Sequence, residues 1–198
     1  GTMVEDAAVA GPYSAALYCL GADGRAQPRE TGVGIANGLC WSPDGHTLYF
    51  ADSPRHAIYA YDFDVDSGRI GNRRQFARTG PGVEPDGSCV DAEGGLWNAQ
   101  WGAGRVLRYA PDGRVLETLE TPGALQPTCV AFAGPALDLL CVTSARVGLA
   151  PAALAAQAHA GDVFVYRTGT CGLRESRARR KSEREGAGGG SEQDPSGE

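Results

Sequence analysis

Two oxygen-bearing side chains, Asn37 and Asp86, occupy matching places in segments that resemble each other, and Thr128 takes the same place in a third segment. Carboxamide and carboxylate oxygens are hard ligands that suit divalent cations such as Ca²⁺, Mg²⁺ and Mn²⁺. A carboxylate beside a cation can also take a proton from an attacking water. Asn-Gly and Pro-Asp-Gly are also common turn sequences, so spacing alone leaves a turn role open for both residues.

Two further residues lie close to this position in the sequence pattern. Asp52 stands at the far end of the next strand-like run, where it could support the site or make a local turn. Trp101 ends the corresponding run of the second segment, and its ring could stack on a sugar or pack against its own loop. The residues themselves do not decide between these roles.

Other catalytic chemistries find no support. The three histidines, His46, His56 and His159, share no spacing typical of a zinc site or a catalytic triad. Ser53 and Ser144 lie outside any Gly-x-Ser-x-Gly pattern, which argues against a serine hydrolase.

Repeated strand patterns must position these side chains. Segments 48–53, 96–101 and 139–144 align with starts 48 and 43 residues apart, and each lies between two other short apolar runs. Asp- and Gly-rich turns join the runs, as in β-hairpins. Short strands that recur at this period predict an all-β fold with the blades of a β-propeller. A β-sandwich is the alternative, but it does not require the same residue pattern in successive units.

The remaining segments complete this organisation. Residues 13–31 resemble the outer strands of an earlier blade, so the chain is expected to open within a blade, and the Ala-rich stretch 149–160 predicts a short helical insertion. We therefore expect a partial propeller over residues 1–173, of about four blades or fewer. Residues 174–198 carry six basic and six acidic side chains with almost no apolar ones, which predicts a disordered polar tail.

Composition narrows the class of partner. The formal net charge is −6, and because the tail is balanced, the excess acid belongs to the body, which disfavours nucleic acid as a partner. No stretch approaches the length of a membrane span, and no signal peptide is evident. The six cysteines form no Cys-x-x-Cys pair, so we interpret them as reduced thiols of a soluble cytoplasmic protein.

An ordered series of motifs resembles the regucalcin (senescence marker protein)/gluconolactonase family. Its central part is Asn37-Gly38-Leu39, followed by the Pro-Asp-Gly of Asp86. The motifs that carry the resemblance lie, in order, at 34–39, 41–45, 48–53, 63–64, 68–74, 85–87, 91–94, 96–97, 104–106, 127–129, 142–146 and 161–164.

This resemblance implies a six-bladed propeller with one divalent cation (Ca²⁺, Zn²⁺, Mn²⁺ or Mg²⁺) in its central channel. It implies that Asn37 and Asp86 are metal ligands, that Asp86 is the general base, and that Glu5, after Gly1-Thr2-Met3, contacts the substrate. The implied activity is hydrolysis of a sugar lactone. A calcium- or metal-binding regulatory protein, or a non-catalytic scaffold, is the alternative.

The same resemblance implies an incomplete site in this chain. The family's remaining metal ligand, a glutamate near the N-terminus, has no counterpart here, because the first blades are absent from the sequence. We accordingly expect weakened metal affinity, and self-association through open propeller edges.

Overall fold

A computed structural model describes residues 13–21 and 23–175. Glu5 and all but two residues of the predicted tail lie outside this range. Within it, thirteen strands form four antiparallel sheets in chain order. No helix in this part of the chain is long and apolar enough to cross a membrane.

The four sheets follow the repeat predicted from the sequence. The first contains β1 (Ala15–Leu20) and β2 (Ala26–Val33). The second contains β3 (Ala36–Trp41), β4 (Thr47–Asp52), β5 (Ala57–Asp64) and β6 (Arg69–Arg78). The third contains β7 (Glu84–Val90), β8 (Leu96–Trp101), β9 (Arg105–Tyr109) and β10 (Val115–Glu120). The fourth contains β11 (Pro127–Ala133), β12 (Leu139–Ser144) and β13 (Val163–Arg167).

The hydrophobic core lies between successive sheets. One cluster joins the first sheet to the second through Leu17, Phe50 and Tyr61. A second cluster, including Ile58 and Leu96, joins the second sheet to the third. The third cluster joins the remaining pair of sheets through residues such as Trp97, Val106, Leu140 and Val142. Each middle sheet is therefore covered on both faces, which is the packing of propeller blades and not of a two-sheet sandwich.

The innermost strands of the three later sheets lie side by side, with β7 between β3 and β11. A short 3-10 helix, Ser53–Arg55, follows β4 at the end of the sheet where β3 begins. The helical insertion predicted within 149–160 is confirmed as α1 (Pro151–Ala156) between β12 and β13.

The outer edge of β13 pairs with no further strand among the described residues. Val163 and Val165 are exposed on this strand, and its neighbour on the other side is β12. Self-association through such an edge stays a prediction.

After β13 the chain returns to the opposite end of the blades from Asn37. The Ala92 N–H donates to the Cys171 carbonyl at 2.8 Å, and the Gly172 N–H donates to the Leu137 carbonyl at 2.8 Å. Residues 171–172 thus join the hairpin turn after β7 to the turn after β11. Gly172 lies so close to Phe132 that a Cβ there would overlap the Phe132 side chain.

We expect Gly172→Ala to lower the free energy of unfolding by about 1–3 kcal/mol, because the added methyl must displace the Phe132 ring or break this connection. The matched control is Gly169→Ala, where a Cβ would meet no atom within 4 Å. Urea denaturation of both variants measures the difference. Equal losses would show that residues 171–172 do not hold the two turns together.

Candidate functional site

The two predicted oxygen donors begin neighbouring inner strands. Asn37 is the second residue of β3, and Asp86 is the third residue of β7. Gly38, with φ +55°, allows the two strands to approach closely, because a Cβ at this position would lie 2.9 Å from the Asp86 carbonyl oxygen. The repeat of the blades therefore brings the two positions to the same end of adjacent inner strands, as the sequence pattern predicts.

The environment of Asp86 changes the acidity of its carboxyl group. Burial raises the pKa of Asp86 to about 6, whereas the nearby Asn37 amide and the Gly87 backbone lower it, and the charge of Glu84 raises it slightly further. A carboxylate with this pKa is mostly ionised at neutral pH yet basic enough to accept a proton.

A buried serine connects the two strands beside this pair. Ser53, only 3% exposed, donates its hydroxyl proton to the Pro85 carbonyl at 2.8 Å. The hydroxyl oxygen of Ser53 also accepts a hydrogen bond from Asn37 Nδ2 at 3.3 Å. Ser53 consequently touches both the Asn37 side chain and the residue before Asp86.

The buried side-chain amides of Asn98 and Gln100, on β8, support β7. Asn98 Nδ2 donates to the Asp86 carbonyl and to Ser88 Oγ, both at 2.9 Å. Gln100 Nε2 donates to Asn98 Oδ1 at 2.5 Å, and both amides are almost fully buried. Because buried amides need partners, these bonds fix the backbone that carries Asp86.

The support that Asn98 and Gln100 give to Asp86 is not predicted by the sequence pattern. The available signal is an amide at position 98 inside the apolar run 96–101, where the second sheet has Phe50 and the fourth has Cys141. A polar residue in a strand covered on both faces requires a buried hydrogen-bond partner.

The third inner strand contributes a different group. The Thr128 hydroxyl pairs with the Thr143 hydroxyl at 2.6 Å. The next residue, Cys129, lies against Gly87, where a Cβ would be 2.7 Å from Cys129 Sγ. Burial raises the pKa of the Cys129 thiol, and the charge of Asp86 raises it further. An uncharged thiol therefore lies near the Asp86 carboxylate.

Asp52 lies at the end of β4 and is 1% exposed. Its carboxylate accepts hydrogen bonds from the Gly34 N–H at 3.2 Å and forms an ion pair with Arg55 at 2.9 Å. These partners hold the connection between β2 and β3, just before Asn37. A role for Asp52 in supporting the site stays a prediction. So does sugar stacking by Trp101, which is half-buried at the end of β8 opposite Glu84.

The residues of this site fit a divalent cation in their chemistry. Asn37 and Asp86 offer hard oxygen atoms, and the desolvated Asp86 carboxylate has no ion-pair partner within the described ranges. Over residues 13–21 and 23–175, no three His, Cys, Asp or Glu side chains form a cluster that could hold a metal. The described residues thus supply part of a coordination shell and not a complete one.

Comparison with known proteins places the chain in a family. The model of the SMP-30/gluconolactonase/LRE-like region matches residues 1–146. The chain belongs to this family. The resemblance predicted from its motifs is thereby confirmed, together with the propeller fold.

Several relatives of this SMP-30/gluconolactonase family member carry named activities. The chain is 49% identical over 144 residues to L-arabinolactonase of Azospirillum brasilense, covering 72% of this chain and 47% of that protein. It is 42% identical over 162 residues to 6-deoxy-6-sulfogluconolactonase of Pseudomonas putida, covering 80% of this chain and 55% of that protein. The chain spans about half the length of the curated relatives it matches.

A solved structure shares the architecture of this family member. The calcium-binding protein regucalcin from Agrobacterium tumefaciens superposes with a TM-score of 0.81 at 36% identity, over 87% of this chain and 58% of that one. Human regucalcin is 38% identical over 168 residues, which cover 83% of this chain and 56% of that protein. The family thus includes proteins named for lactone hydrolysis and others named for calcium.

Proposed function

We propose that this chain carries part of the active site of a divalent-metal-dependent hydrolase of sugar lactones. The observation that carries the proposal is the placement of the Asn37 amide and the desolvated Asp86 carboxylate near the start of the adjacent inner strands β3 and β7. A propeller used only as a scaffold does not need a desolvated carboxylate at this place. The two relatives named as lactonases support the substrate class.

In this proposal Asn37 and Asp86 would hold a divalent cation, which would supply Lewis-acid polarisation of the lactone carbonyl. The Asp86 carboxylate takes one proton from the attacking water while the oxygen of that water bonds to the carbonyl carbon. The bond from that carbon to the ring oxygen then breaks, and the proton passes from Asp86 to the ring oxygen. The product is the open-chain aldonic acid, and Asp86 returns to its ionised state.

The described residues do not complete such a site. Ca²⁺ takes roughly six to eight oxygen ligands, whereas Asn37 and Asp86 supply at least one each. Further ligands would have to come from water, substrate or residues outside the described ranges. The proposed substrate contact, Glu5, also lies outside the described ranges.

The test is an assay of the chain with gluconolactone and L-arabinonolactone, in which acid release is followed against a blank for spontaneous hydrolysis. We expect hydrolysis that EDTA removes and Mn²⁺, Zn²⁺, Mg²⁺ or Ca²⁺ restores. Hydrolysis that persists in EDTA would contradict the metal dependence. A heat-denatured sample of the same chain is the control for non-specific catalysis.

The alternative is a metal-binding regulatory or non-catalytic propeller. The regucalcins among the relatives favour it, one of them described as a calcium-binding protein. Mn²⁺ binding detected by electron paramagnetic resonance, together with no measurable lactone hydrolysis in the assay above, would select this function over the enzyme.

A further inference from the structure

Ser53 has a connection to the site that no other described hydroxyl shares. It is the first residue of the 3-10 helix after β4, and its hydroxyl lies between the Pro85 carbonyl and the Asn37 amide. Pro85 directly precedes Asp86 in β7. One buried oxygen atom thereby bonds both to Asn37 and to the residue that directly precedes Asp86.

The hydrogen-bond chemistry of this contact fixes the direction of the Asn37 amide. A serine hydroxyl has one proton, and a carbonyl oxygen can only accept. Because the Ser53 proton is committed to the Pro85 carbonyl at 2.8 Å, its oxygen can only accept from Asn37. The nitrogen of Asn37 must then face Ser53, at 3.3 Å, and the amide oxygen must lie at the other end.

The amide oxygen retains capacity for a ligand in this orientation. Asn37 Oδ1 accepts a hydrogen bond from the Gly38 N–H at 3.2 Å, and an amide oxygen has two lone pairs. A reversed amide would present an N–H group in place of this oxygen. Its own oxygen would then face the Ser53 oxygen, with no proton available to join these two acceptors. The reversed orientation therefore costs a buried hydrogen bond as well as the metal ligand.

We propose that Ser53 is a positioning residue, which sets the orientation of the Asn37 amide and the distance of β3 from the start of β7. Its effect on metal affinity rests on the proposed function, whereas its hold on Asn37 does not. Groups that orient metal ligands typically change affinity by about ten- to a hundredfold when removed.

The fourth sheet offers a matched control. Ser144 ends β12 as Ser53 follows β4, and its hydroxyl also bonds to backbone, donating to the Asp162 carbonyl at 2.8 Å and accepting from the Gly161 N–H at 3.0 Å. These partners belong to the insertion before β13 and not to the strands that carry Asn37 and Asp86. Removing this hydroxyl tests the loss of a comparable local bond without a contact to the site.

The experiment compares Ser53→Ala, Ser53→Thr and Ser144→Ala in the complete 198-residue chain. The first readout is hydrogen exchange of the Asn37 side-chain NH₂, observed by NMR in metal-free buffer and assigned from its loss in Asn37→Ala. The second is the Mn²⁺ dissociation constant, measured by electron paramagnetic resonance. Circular dichroism confirms that each variant folds.

We expect Ser53→Ala to accelerate exchange of the Asn37 NH₂ and to raise the Mn²⁺ dissociation constant about tenfold. Ser53→Thr keeps the hydroxyl and should stay close to the parent chain in both, as should Ser144→Ala. Unchanged exchange in Ser53→Ala, or equal effects of Ser53→Ala and Ser144→Ala, would overturn the proposal. If the parent chain binds no Mn²⁺, the metal part of the proposed function fails, and the exchange comparison alone decides the role of Ser53.

Discussion

Asp86→Asn should reduce lactone hydrolysis by at least about a hundredfold and, in metal-free buffer at pH 8, should make the chain more stable. The activity falls because a carboxamide keeps the size and one oxygen of the carboxylate but can neither accept the proton of the attacking water nor balance the charge of a cation. The stability rises because burial disfavours the ionised form of Asp86.

The direction of the pH dependence follows from the raised pKa. The folded chain loses the Asp86 proton near pH 6, whereas the unfolded chain loses it near the ordinary aspartate value. Folding is therefore favoured by this group below the unfolded-state pKa, and that advantage is lost as the pH rises through about 6. The free energy of unfolding of the parent chain should be lower than that of Asp86→Asn by about 2 kcal/mol at pH 8, and the difference should be smaller at pH 5.

Urea denaturation at both pH values, with EDTA present, measures this difference. The control is Asp112→Asn, which makes the same chemical change in the exposed turn before β10, where Asp112 accepts a hydrogen bond from the Arg114 N–H. It should leave the activity and the pH dependence as in the parent chain. Full activity of Asp86→Asn, or a stability gap that does not depend on pH, would contradict the role given to Asp86.

The predictable part of this fold is the part that repeats. The runs 48–53, 96–101 and 139–144 were expected to be equivalent strands, and they form β4, β8 and β12, apart from shifts of one residue at the ends. The strands β4 and β8 are buried on both faces between neighbouring sheets, whereas β12, in the last described sheet, buries only alternate residues, Leu140 and Val142. The same symmetry placed Asn37 and Asp86 together, since equivalent positions of adjacent inner strands must be neighbours.

Features without a counterpart in the other blades could not be derived in this way. The return of residues 171–172 to the hairpin turns depends on a close approach to Phe132, which no local pattern encodes. The strand β6 is exposed along most of its length, so it has little of the apolar alternation that marks a strand. The network of Asn98 and Gln100 requires the mutual placement of β7 and β8, which only the folded chain supplies.

Gly38→Ala should lower the free energy of unfolding by about 3 kcal/mol, from two separate causes. Gly38 has φ +55°, a left-handed conformation that costs an alanine about 1 kcal/mol. Its Cβ would also lie 2.8 Å from Ser88 Oγ and 2.9 Å from the Asp86 carbonyl oxygen. Because the second obstacle is backbone, the inner strands must separate, at a further cost of about 2 kcal/mol.

Gly32→Ala separates the two causes. Gly32 has φ +71°, but a Cβ there would meet no atom within 4 Å, so this variant should lose only the conformational part, about 1 kcal/mol. Urea denaturation gives both losses, and the Mn²⁺ dissociation constant shows whether the site has moved. We expect weaker Mn²⁺ binding in Gly38→Ala alone, because separation of β3 from β7 pulls Asn37 away from Asp86. Equal destabilisation of the two variants would mean that β3 and β7 tolerate the extra methyl, and that the close approach at Gly38 does not set the geometry of the site.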